Sequence, residues 1–234
     1  MPPDAECLVP QPIAIPAYLR RIYWWAYVHP QAVRVFERQW LVNLILWGNF
    51  GRLRDAALEA LGPTLPGRTL QIACVYGDLT SKLLERSAPG STLDVVDILP
   101  LQLENLKRKL PADSGARLRR CNSAGLDYAS GTFDRALLFF LLHEMPESVR
   151  RATLAQALRV VKPGGRLVIV DYHRPRRTHP LYLPMVGILR TLEPFALDLW
   201  EREVPEWFPD DVEVASIRKT TSFGGLYQML EITV

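Results

Sequence analysis

The side chains able to do chemistry recur where apolar runs end. Asp97 closes the run 92–96 and lies about 20 residues beyond Gly77, the spacing of a nucleotide-binding βαβ unit whose carboxylate accepts two ribose hydroxyls. Before it, LQIACVYGDLT (70–80) reads as a strand, a tight turn and a helix starting near Asp78, whose first N–H groups are free for a polar ligand. Asn122 and Ser123 follow a third apolar run, His143 and Glu144 follow RALLFFLL, and Asp171 and His173 follow a fifth. In an open α/β sheet a ligand lies outside the carboxyl ends of the strands, so these residues share one rim.

Each has a chemical use and an ordinary one. Asn122 suits an adenine edge or simply forms a turn. His143 is the first choice for a general base, or a core histidine bonded to backbone. Asp78, Glu144 and Asp171 offer oxygen and His143 and His173 nitrogen, a mixed set suited to manganese, iron or zinc, although the spacing is no recognisable metal motif. Asp78 equally suits a helix cap. Tyr76 is too large for a phosphate cradle and reads as a stacking or gating side chain.

The elements that must position these residues alternate. After the helix at 52–61, strands are expected at 70–75, 92–96, 116–120, 135–142 and 166–170, with helices at 78–86, 99–110 and 146–160, tight turns at 162–165 and 223–225, and closing strands at 212–219 and 225–234. The fold class is α/β: a doubly wound, mostly parallel seven-stranded sheet with an N-terminal helical cap and a helical insertion after strand five. Residues 51–173 and 209–234 form the sheet domain, 1–50 the cap and 174–208 the insertion. Residues 1–16 are Pro-rich and expected to be extended. Residues 31–50 keep a helical period at Val33, Phe36, Trp40, Leu44 and Trp47, and four of the six tryptophans lie between Trp24 and Trp47.

Composition narrows the classes. With 234 residues, 48% of them hydrophobic, the chain can bury a sizeable core. A net charge of +3 is too mild to argue for nucleic acid. Three cysteines at wide spacing, Cys7, Cys74 and Cys121, make neither a disulfide framework nor a zinc motif, and a reducing compartment is expected. The N-terminus lacks the pattern of a signal peptide, and no run is long enough to span a bilayer. Arginines at 174–177 beside apolar sequence suit an anionic membrane surface.

The pieces LQIACVYGDLT, VVDILP, CNSA, FDRALLFFLLHEMP, LRVVKPGGRLVIVDY and FGGLYQMLEI resemble, in this order, class I S-adenosylmethionine-dependent methyltransferases, most closely quinone-biosynthesis enzymes. The likeness departs in the first motif. Gln71 stands where that family has an acid, and Ala73 and Val75 stand for two glycines, while Gly77 and Asp97 are kept. The altered ACVYGDLT together with LLFFLLHE resembles the RquA family of rhodoquinone-biosynthesis proteins.

That resemblance implies conversion of ubiquinone to rhodoquinone, with S-adenosylmethionine donating an amino group in place of a ring methoxy and manganese required. A cytoplasmic enzyme associated peripherally with the inner membrane is expected from a lipid-soluble substrate together with the aromatic and basic residues. It implies that Gln71, Ala73, Val75, Tyr76, Gly77, Asp97, Ile98, Asn122, Ser123 and Phe139 surround the donor. His143, Tyr76 and Asp78 would then serve the reaction, with a metal on some of Asp78, His143, Glu144, Asp171 and His173. The alternatives are methyl transfer to a quinone precursor and a non-catalytic quinone-binding scaffold.

Overall fold

The computed structural model describes residues 13–24 and 30–234; residues 1–12 of the Pro-rich start, and Trp25, lie outside them. One seven-stranded sheet organises the chain, in the order β3-β2-β1-β4-β5-β7-β6. The strands are β1 (Arg68–Ile72), β2 (Thr92–Asp97), β3 (Arg117–Arg120), β4 (Phe133–Phe139), β5 (Val161–Tyr172), β6 (Ser216–Ser222) and β7 (Tyr227–Thr233). The first five run parallel, and β7 is antiparallel to both its neighbours. The order reverses between β1 and β4, which opens a crevice at their carboxyl ends.

The two-residue period of the strands divides the core into two layers. Leu137 and Val168 point into one, with Leu53 and Ala57 of α4 (Phe50–Leu61) and Leu83 of α5 (Leu79–Glu85). Leu138 and Ile169 point into the other, with Leu154 and Leu158 of α7 (Glu147–Val160). With apolar side chains needed on both faces, β4 reads as a continuous apolar run, as its sequence suggested. Helix α6 (Pro100–Lys109) follows β2 and starts with proline, whose missing N–H costs nothing in a first turn.

Several elements differ from the sequence reading. Strand β4 ends at Phe139, short of 142, and β5 runs through residues 162–165, which read as a tight turn, with Gly164 at φ +75° inside it. The single helix expected over 31–50 is broken into α2 (Pro30–Phe36) and α3 (Gln39–Ile45). Arg38 between them is extended, and Trp47 and Gly48 after α3 take positive φ. The break places Glu37 against Lys109 and Asn105 of α6, 2.6 Å from each, a contact that local periodicity does not encode. The strand expected at 212–219 begins only at Ser216, because Val212 and Val214 pack against the core from a loop. As an edge strand, β6 pairs with β7 alone and carries polar residues on both faces. The turn expected at residues 223–225 is one short helical turn.

Two further pieces lie over the crevice: α1 (Ala17–Arg21), and the insertion with α8 (Tyr182–Leu192) and α9 (Asp198–Glu201). Arg150 ties the insertion to the sheet. Fully buried, it donates to the carbonyls of Leu142 and Met145 beside β4 and of Phe195 in the insertion, and pairs with Asp198 at 3.1 Å. The turn carrying His143 and Glu144 is thereby held to the wall opposite.

Candidate active site

The crevice opens into a cavity of about 580 Å³, within the range of small-molecule sites. Its polar groups come from the ends of β2, β3 and β4, and its apolar walls from α3, α8 and the turn after β1.

At the β2 end Asp97 is buried, and each carboxylate oxygen accepts one backbone N–H, from Leu99 and from Cys74, both at 2.8 Å. A buried carboxylate lining the cavity suits a pair of neighbouring hydroxyls. Burial raises its pKa to about 6, opposed by those N–H donors. Asn122 at the β3 end accepts from Ala124 N at 3.0 Å, leaving its amide nitrogen without a protein partner among the described residues. Ile98, Ser123 and Phe139 line the same space. These groups fit the nucleoside end of S-adenosylmethionine.

The turn after β1 keeps a glycine-like backbone with larger side chains on it. Ala73 takes φ +73°, a region costing an L-residue about 1–2 kcal/mol. Ala73, Cys74, Val75 and Tyr76 line the cavity; Gln71 and Gly77 do not. Gln71 is buried and tied at both ends: it accepts from Thr80 Oγ1 at 2.8 Å and donates to Ala73 O at 2.9 Å. Gly77 N donates to Glu37 Oε1 at 3.2 Å. For these two residues direct donor contact gives way to a supporting role, because their polar groups are already taken. The Tyr76 ring stacks on Phe36 at 6.0 Å, and its hydroxyl accepts from Gln102 at 2.8 Å.

At the β4 end the chain turns sharply through Phe140, φ +53°. His143 and Glu144 face the cavity, with Nε2 and Oε1 3.8 Å apart. Behind them Asp171 is wholly buried, accepting from Leu141 N, Leu142 N and Tyr172 N as well as facing His143 Nδ1. Burial depresses the pKa of the imidazole, but the charge and hydrogen bond of Asp171, with Glu193 and Glu144 nearby, outweigh it and raise the pKa to about 9.

The five residues expected to share a metal are not brought together. Asp78 lies outside the cavity lining, both its oxygens 2.7 Å from Arg54 Nη1, and it makes no side-chain cap on α5. That pairing also takes it out of the catalytic set. Asp171 is filled by four donors. His173 bonds Gly225 O at 2.7 Å, also outside the cavity lining. No group of three or more histidine, cysteine, aspartate or glutamate side chains among the described residues is placed to hold a metal ion. The donor set as read from sequence therefore does not fit a manganese ion.

Sequence reading missed Glu193 and Tyr23. Glu193 enters the cavity from the end of α8, and burial raises its pKa against the opposing effects of His143 and a hydrogen bond from Tyr23. Its signal was present: it is the first acid in an otherwise apolar and basic stretch from residue 174.

Residues 69–165 match the family model described as methyltransferase domain. The demethylmenaquinone methyltransferase of Clavibacter sepedonicus is 27% identical over 193 residues, covering 79% of this chain and 76% of its own length. The ubiquinone/menaquinone biosynthesis C-methyltransferase UbiE of Cereibacter sphaeroides is 31% identical over 149 residues, 62% of this chain and 58% of its own. Among solved structures, the N-methyltransferase NodS of Bradyrhizobium japonicum with S-adenosyl-L-homocysteine superimposes with a TM-score of 0.59 at 12% identity, covering 86% of this chain and 96% of that one. This likeness concerns the fold.

Proposed function

We propose that this chain is a member of the class I S-adenosylmethionine-dependent methyltransferase family that modifies the ring of a lipophilic quinone, the first reading being methyl transfer to a quinone-biosynthesis precursor. The observation that carries it is one cavity with two chemically different ends. Asp97 and Asn122 suit a nucleoside at one end, the His143–Asp171 pair supplies a base at the other, and the walls between are apolar. The named relatives are quinone methyltransferases, which supports this substrate class. When bound, S-adenosylmethionine supplies an electrophilic methyl group. The chain holds the ribose through Asp97, excludes water with α3 and α8, and takes a ring or hydroxyl proton at His143 Nε2. A base with a pKa near 9 is matched to a phenol.

One observation favours a second reading, replacement of a ubiquinone methoxy by an amino group with S-adenosylmethionine as amino donor, as in the RquA family. Where the resemblance expects an acid holding the donor's α-ammonium, Gln71 is neutral and engaged with Thr80 and Ala73. An α-amine not held by a carboxylate is what amino transfer needs.

Mass spectrometry separates the readings. Purified protein is incubated with S-adenosylmethionine, with or without manganese, and either a short-tail ubiquinone or its ring-demethylated precursor. A precursor heavier by one CH2 supports methyl transfer. Ubiquinone lighter by the difference between OCH3 and NH2, only with manganese, supports amino transfer. Both quinones unchanged, with a folded protein that binds S-adenosylhomocysteine, would overturn both.

A further inference from the structure

We infer that the outer faces of α3 and α8 form one docking surface for an anionic phospholipid bilayer, set around the mouth of the cavity. Eleven large apolar side chains are exposed among the described residues, and all but Ile217 lie in residues 13–47 and 183–192. Trp40 is 61% exposed, Leu44 62% and Leu183 77%. A helix that is apolar nearly all round belongs in a core or in lipid. Yet α3 (QWLVNLI) buries none of its residues, and α8 (YLPMVGILRTL) buries only Met185 and Leu189.

The two helices make one surface because the chain joins them at the mouth: Trp47 Nε1 donates to Met185 Sδ at 3.3 Å. Ile45, Trp47, Ile188 and Leu192 are exposed outside and line the cavity inside, so the patch runs continuously into the site. A water-soluble substrate has no use for such an entrance, whereas a lipid-tailed one crosses it without leaving an apolar medium.

Charge selects the bilayer over another apolar partner. Residues 13–54 hold six arginines and one acid, Glu37, and residues 174–192 hold four arginines and no acid. These two segments carry +9 in a chain of net +3, so the remainder sums to −6. Arg34, Arg38, Arg176, Arg177 and Arg190 are exposed and have no ion-pair partner among the described residues. Arginine beside exposed tryptophan and leucine is the composition that binds anionic headgroups and the interface beneath them. No described helix is long and apolar enough to cross a membrane, so the contact is with one leaflet.

The test is vesicle co-sedimentation of the full chain without any quinone or donor, so its outcome is independent of which reaction the cavity supports. Vesicles of phosphatidylcholine containing phosphatidylglycerol should bind the protein at low salt, and phosphatidylcholine alone should bind it far less. Trp40→Gln with Leu183→Gln, neither of which lines the cavity, should weaken binding roughly tenfold or more. Ile217→Gln, on the far edge of the sheet, should leave it unchanged. Arg34→Glu with Arg190→Glu should abolish the preference for phosphatidylglycerol while circular dichroism stays that of the parent. The inference is overturned if the parent ignores anionic vesicles, or if the Trp40/Leu183 variant binds as the parent does. It is equally overturned if sedimentation equilibrium shows a dimer that this variant dissociates and vesicles do not compete for, since a second copy would then cover the face.

Discussion

His143 Nδ1 lies 2.9 Å from Oδ1 of Asp171, and this one distance assigns the histidine its orientation. Asp171 is anchored by three backbone N–H groups, from Leu141, Leu142 and Tyr172, and belongs to the strand that neighbours β4. With Nδ1–H directed to that carboxylate, Nε2 is the nitrogen on the cavity side, the arrangement of an oriented general base. The aspartate expected to ligate a metal instead sets the tautomer of its neighbour.

The pH profile should report this pair. With its pKa raised to about 9, His143 is protonated at neutral pH and must lose that proton to act as a base. Turnover, measured as kcat/KM for the quinone, should therefore rise with pH through about 9 and level off above it. Glu193 is one of the charges holding the pKa up, so Glu193→Gln should move that limb to lower pH. A limb that stays in place would remove Glu193 from the site. The stability linkage runs the other way: because the folded pKa exceeds the unfolded one, the stabilisation is complete below about 6.5 and is lost as pH rises through about 9.

Donor binding should depend on Asp97 with the opposite sign. The carboxylate is the form that accepts two hydroxyls, and its pKa is raised to about 6 by burial. Calorimetric affinity for S-adenosylhomocysteine should fall as pH drops below about 6. Asp97→Ala should weaken it by roughly tenfold to a hundredfold, one or two charge-assisted hydrogen bonds. An affinity unchanged by that substitution would place the ribose elsewhere.

Ala73→Gly should stabilise the fold. At φ +73° alanine bears a conformational cost of about 1–2 kcal/mol that glycine lacks, partly offset by the greater freedom of glycine in the unfolded chain. The net expectation is about +0.5 to 1 kcal/mol in denaturant unfolding. Lower stability would mean that the Ala73 methyl, which lines the cavity, supplies packing worth more than the strain.

The sheet was legible because its signals are local. Apolar runs and the acid at the end of β2 follow from period and spacing, and the strand-end rule placed Asp97, Asn122, His143 and Glu144 at one rim. What stayed hidden depends on partners distant in sequence. Asp78 looks like a free acid until Arg54, 24 residues away, takes both its oxygens. Asp171 and His143 are 28 residues apart, and nothing short of the β4–β5 pairing shows that they meet. Glu37 sits within a helical period that predicts no break; its reason for leaving the helix is 72 residues away, at Lys109.

Glu37 is where the cap is fastened to the altered turn. Its carboxylate accepts from Gly77 N at 3.2 Å, Asn105 Nδ2 at 2.6 Å and Lys109 Nζ at 2.6 Å, while the neighbouring Phe36 stacks on Tyr76. Glu37→Ala would leave Lys109 with the Gly77 carbonyl, 2.7 Å away, but no carboxylate partner. A half-buried charge pair with a backbone N–H attached is worth about 1–3 kcal/mol. That loss should be confined to the cap, because β1 and β4 are held by the sheet. Amide exchange over residues 31–46 should accelerate while that of β1 and β4 does not change. The KM for S-adenosylmethionine should rise more than kcat falls, since the cap closes over the turn where the donor's amino-acid end would lie. Glu37→Gln keeps an acceptor for Gly77 and loses the charge, so it should fall between. If Glu37→Ala exchanges like the parent across the cap, apolar contacts from Phe36 and Val33 hold it, and the carboxylate serves only to terminate α2.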